Sequence, residues 1–78
     1  MTPRPISVEE SATSEPVRVL LHRDWQSVEV TRGVWYVDQH WWRGRPIRRA
    51  YYRVAPVEGA PLTIFKDLTT GEWFRQEY

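Results

Sequence analysis

Wherever apolar residues recur regularly in this chain, the interval is two. Val17, Val19 and Leu21 alternate with Arg18, Leu20 and His22, and Ala50, Tyr52 and Val54 alternate with Tyr51, Arg53 and Ala55. Successive side chains of a strand point to opposite faces, so this interval marks strands with one buried face. No segment keeps a 3.6-residue period over three turns, and little helix is expected. Short strands joined by turns protect their edges by closing on one another. The expectation is therefore all-β: a five- or six-stranded antiparallel meander, barrel-like or strongly coiled.

The turn chemistry divides the chain further. Residues 1–15 mix Pro, Ser, Thr and Glu with few apolar side chains. They read as a mobile segment before a single β domain over 16–78, with Ile6 and Val8 able to add one short edge strand. A strand through Val17 to Leu21 leads to a turn at His22-Arg23-Asp24-Trp25. The next strand runs through Val28 and Val30 and resumes at Val34 to Val37. The even-numbered and odd-numbered apolar positions on either side of Gly33 share one face only if a bulge near Thr31 to Gly33 resets the phase. Asp38 to Ile47 (DQHWWRGRPI) holds Gly44 and Pro46 without alternation and reads as a loop. Arg48 to Ala55 is a strand, and Pro56 to Pro61, with Gly59, is a turn. Leu62 to Phe65 then pairs with Glu72 to Tyr78 across Asp67-Leu68-Thr69-Thr70-Gly71. In that loop Gly71 takes positive φ, because a Cβ is expected to crowd the turn.

A chain of 78 residues forms one domain and buries only about 60% of the surface its unfolded state exposes, so its core must be rich. Five Trp, four Tyr and two Phe supply that core; Trp35, Tyr52, Phe65 and Trp73, on strands, are its expected members. There is no Cys, hence no disulfide, and no apolar run of membrane-spanning length. These point to a soluble, cytoplasmic protein with no membrane association. The only imidazoles, His22 and His40, belong to no ligand cluster, and no nucleophile motif or phosphate loop stands out. Neither enzyme activity, nor a metal, nor a cofactor is expected.

The near-neutral net charge of +1 hides a segregated pattern. Residues 39–57 carry Arg43, Arg45, Arg48, Arg49 and Arg53 and no Asp or Glu, whereas acids prevail in the first 15 residues and the last 21. Beside this basic block stand Trp41 and Trp42. One of two neighbouring indoles on an extended segment must turn inward; the other is free to cover the core or to stack on a partner. Guanidinium groups meet phosphates and carboxylates bidentately, and exposed aromatic rings stack on bases. Trp42, Arg43, Arg45, Arg48, Arg49, Tyr51 and Arg53 are therefore the candidate binding residues, for a protein partner or for single-stranded nucleic acid.

One resemblance adds to this. Trp35, Trp41-Trp42-Arg43, the run Arg49-Ala50-Tyr51-Tyr52-Arg53-Val54 and the hairpin Phe65-Lys66-Asp67-Leu68-Thr69-Thr70-Gly71-Glu72-Trp73-Phe74 occur in an order that resembles a family of small bacterial domains of unknown function. It is similar to the carboxy-terminal region of ImuB-like proteins, inactive homologues of Y-family polymerases, over roughly residues 17–78. The resemblance implies a non-enzymatic accessory role in translesion synthesis, bridging protein partners of that machinery. It does not extend to a polymerase-like body or a clear clamp-binding peptide, and the sequence leaves partner identity and oligomeric state open.

Overall fold

The computed structural model describes residues 3–41 and 45–76, of which 38–41, 45 and 46 are described by backbone alone. Seven strands follow in chain order: β1 (Arg4–Pro5), β2 (Val8–Glu10), β3 (Pro16–Leu21), β4 (Asp24–Trp41), β5 (Arg45–Pro56), β6 (Leu62–Asp67) and β7 (Trp73–Arg75). All pairings are antiparallel, in the order β1-β7-β6-β5-β4-β3-β2. The all-β, barrel-like expectation holds, with seven strands rather than five or six. No described residue is helical, and no helix is long and apolar enough to cross a membrane.

The two added strands come from the amino-terminal segment, and they flank a single seam. β1 and β2 are the outermost strands of the curled sheet, yet only Ile6 and Ser7 separate them. Ile6 donates its amide to the Trp73 carbonyl at 3.1 Å, and the Leu20 amide donates to the Ser7 carbonyl at 3.0 Å. One stretch of chain thus hydrogen-bonds to β7 on one side and β3 on the other, which is how a meander of short strands satisfies both of its edges.

Inside the curl lie Val19, Leu21, Ala50, Tyr52, Val54, Leu62, Ile64 and Trp73, with Ile6, Val8, Val28 and Val30 packed against them. The β5 alternation is as expected, with Ala50, Tyr52 and Val54 all buried. On β3 the phase differs at one position: Val17 is 39% exposed. The β2–β3 register shifts between Glu9 and Glu10, so Pro16, opposite Glu10, is the residue enclosed. Register shifts fall where a bulge is expected in β4, between Val30 and Arg32 and between Arg32 and Trp35, but there are two and they cancel, so Val28 and Val30 face the core while Trp35 and Val37 face outward instead of sharing one face with them.

Two expectations fail. Of the expected loop Asp38 to Ile47, residues 42–44 lie outside the described residues and the rest is a ladder, with Asp38 opposite Arg48, Gln39 opposite Ile47, His40 opposite Pro46 and Trp41 opposite Arg45. Here β4 and β5 extend past β6, which joins β5 only from Arg49. A two-stranded arm has no core to face, so nothing imposes an apolar alternation on it. Pro46 is also tolerated, since β5 has no second neighbour at that point. Trp35 is not a core residue: it lies opposite Tyr51 on the outer face and keeps 36% of its surface exposed. The two register shifts before it cancel, which leaves Trp35 on the face opposite to Val28 and Val30, as in an unbroken strand.

The hairpin β6–β7 follows its turn chemistry. Gly71 has φ +82° and donates its amide to the Asp67 carbonyl at 2.7 Å, while an Asp67 carboxylate oxygen accepts the Thr69 amide at 2.8 Å. A Cβ on Gly71 would meet no neighbouring atom within 4 Å. The glycine is required by the left-handed backbone, not by crowding.

Candidate functional site

Adjacent bulky residues give this sheet two apolar faces. In Tyr51-Tyr52, Ile64-Phe65 and Trp73-Phe74 the pleat sends one side chain inward and its neighbour outward. Tyr52, Ile64 and Trp73 enter the core; Tyr51, Phe65 and Phe74 form a row on the outside. The register lines that row up across five strands: Trp35 opposite Tyr51, Tyr51 opposite Phe65, Phe65 opposite Phe74, and finally Pro5 of β1 opposite Phe74. Ring centroids are 5.6 Å apart for Trp35 and Tyr51, 5.0 Å for Tyr51 and Phe65, and 5.2 Å for Phe65 and Phe74.

Arginines frame this ladder. Arg49 lies over the Phe65 ring, 4.5 Å from its centroid, and donates from Nη1 to the Tyr51 hydroxyl at 3.1 Å. Phe65, on the outer face, is thereby 98% enclosed, being only 2% exposed. Arg32 stacks over Trp35 at 5.1 Å, and Arg53 donates from Nη1 to the Thr63 hydroxyl at 3.1 Å. Asp67 stands opposite Arg49 in register, but its carboxylate accepts the Thr69 amide. Among the described residues no carboxylate is ion-paired with Arg32, Arg49 or Arg53. Their guanidinium groups are held in place by rings and hydroxyls rather than by ion pairs.

Of the residues singled out from sequence, Arg49, Tyr51 and Arg53 meet on this face, two apart along β5. Arg48 has the opposite phase and is exposed, opposite Asp38. Arg45 is described by backbone only, opposite Trp41, and Trp42 and Arg43 lie outside the described residues. Sequence reasoning missed Arg32, Trp35 and Phe74 as members of the face. The signal for Phe74 was present in its adjacency to Trp73; for Trp35 it was plain alternation from Val28 and Val30, whereas Arg32 is turned outward by a register shift that no local pattern announces.

Two acids share this face by register, Asp67 opposite Arg49 and Glu29 opposite Ala55, while Glu9 and Glu10 lie at the seam. Glu10 on β2 reaches across the curl, where its carboxylate accepts the Trp73 indole N–H at 2.9 Å and the Lys66 ammonium at 3.0 Å. The indole hydrogen bond, with help from Lys66 and against some desolvation, holds the Glu10 carboxyl below its usual range. Glu9 pairs with Arg18 beside the seam. Burial pushes the Tyr52 hydroxyl up. Among the described residues no group of three or more His, Cys, Asp or Glu converges as a metal site would require. The chain matches no family model, no curated protein and no solved structure.

Proposed function

We propose that this chain is a non-catalytic binding module that docks an anionic partner through the outer face of β4–β7. The observation that carries this reading is the aromatic ladder framed by Arg32, Arg49 and Arg53 with no carboxylate paired to them among the described residues. Rings that a fold needs only for stability belong inside. A second aromatic row outside, topped by guanidinium groups fixed in position, lowers the entropy lost on engaging a partner. The sequence resemblance supplies the setting, namely an accessory role in bacterial DNA-damage tolerance, where the partner is an acidic surface of a translesion-synthesis component or the nucleic acid itself.

The test is retention on immobilised heparin at low salt, comparing the parent with a variant carrying Arg32→Gln, Arg49→Gln and Arg53→Gln. The parent should be retained and the variant should elute at distinctly lower salt. Equal elution would place any anion-binding surface elsewhere. Affinity capture from bacterial cells given DNA damage tests the setting: the parent should recover translesion-synthesis components that the triple variant does not.

A further inference from the structure

We infer that the anionic partner of the outer face is single-stranded nucleic acid, with Trp35 as the principal stacking ring and Arg32, Arg49 and Arg53 as its phosphate contacts; this rests on the reading just given. Three features favour bases over carboxylates. First, the centre of the face is apolar and aromatic, and a purely acidic partner would have to bury it against nothing suited to it. Each nucleotide brings a π-face together with a charge, the same alternation that the face presents in rings and guanidinium groups. Second, the rings differ in exposure: Phe65 is 2% exposed, whereas Trp35, at one end of the row, is 36% exposed, and a base reaches it by displacing the Arg32 guanidinium or by stacking on that guanidinium's outer side. A planar base is the ligand that extends such a stack. Third, each ring is followed by its neighbour on the next strand, so the row runs across the sheet as a track rather than as a pocket. A duplex keeps its bases stacked on one another and offers no free faces to this track.

The experiment is fluorescence anisotropy of a labelled 12-nucleotide oligothymidylate, with an abasic oligonucleotide of the same length, the matching duplex and a heparin fragment as competitors. Three phosphate contacts on a single strand predict a log–log salt slope of about −2, a loss of roughly 20-fold in affinity between 50 and 200 mM salt. The abasic strand should bind about ten-fold more weakly or worse, as should the parent strand to a Trp35→Leu variant, since one base–ring stack is worth that much. Because the abasic comparison uses the unaltered protein, the result does not depend on the variant's folding. If abasic strand and heparin bind as well as oligothymidylate, the face takes anions but not bases, and the inference fails while the binding-module reading stands. If nothing anionic binds at low salt, both fail.

Discussion

At the residue scale the fold separates rings that hold the molecule together from rings that face out. Trp73 contacts Tyr52 at 5.5 Å between centroids inside the curl, and its indole N–H is bonded to Glu10. Trp35 touches Tyr51 on the outside and remains 36% exposed. Truncating the first should cost about 3 to 5 kcal/mol, a large share of the stability of so small a domain. Truncating the second removes a partly solvated contact and should cost about 1 kcal/mol. Urea denaturation of Trp73→Ala and Trp35→Ala therefore should separate them widely, with Trp73→Ala unfolded or nearly so; equal losses would contradict the assignment of Trp35 to the outer face. Arg49 invites a similar comparison, because its guanidinium lies over Phe65. Arg49→Met should retain most of the packing and stability that Arg49→Ala loses, as read by the same denaturation curves.

Among the elements, the β6–β7 hairpin is the one most completely written in local sequence. Asp67 supplies the side-chain acceptor, Thr70 accepts the Glu72 amide at 3.2 Å, and Gly71 supplies the left-handed backbone. Gly71→Val forces a β-branched residue to φ +82° and should destabilise by 1 kcal/mol or more, about the strain of a non-glycine residue held there. Coincident thermal melts of variant and parent would argue against this turn. The arm of β4 and β5 was illegible for the opposite reason. Its pairing from Asp38 to Trp41 is carried by backbone hydrogen bonds with no buried face to impose a period, and Pro46 disguised it as a loop. β5 was legible because Ala50, Tyr52 and Val54 face the core. The outer face was half legible: the alternation that buries Tyr52 fixes Tyr51, Arg49 and Arg53 on the other side. Recruiting Arg32 to them required the register of β4, set over distance by its pairing with β5. The basic block was correctly seen as a charge feature, but the sheet divides it, turning Arg49 and Arg53 to the ladder and giving Arg48 the other phase.

Across the whole molecule, closure and the proposed binding face lie on different surfaces. The seam formed by residues 4–10 is closed in part by Glu10, which ties β2 to Trp73 and Lys66 on β7 and β6. Since the folded state holds the Glu10 carboxyl below its usual range, this tie is fully present above the unfolded carboxylate pKa of about 4.3 and is lost as pH falls through the depressed folded value. Stability measured by denaturant from pH 7 to pH 3 should therefore fall more steeply for the parent than for Glu10→Gln, which retains an acceptor for the indole but no titrating charge. Superimposable profiles would remove Glu10 from the closure. Glu9 and Glu10 thus lie at the seam, and Arg32, Arg49 and Arg53 stand along the ladder without an ion pair among the described residues, the side on which the proposed anionic strand would dock. The most direct measurement of that claim is an amide chemical-shift map of the labelled protein titrated with oligothymidylate. Shifts should concentrate at Arg32, Trp35, Arg49, Tyr51, Arg53 and Phe74, with the seam at Ile6 to Glu10 unmoved. Shifts confined to the seam, or none at saturating strand and low salt, would contradict the account.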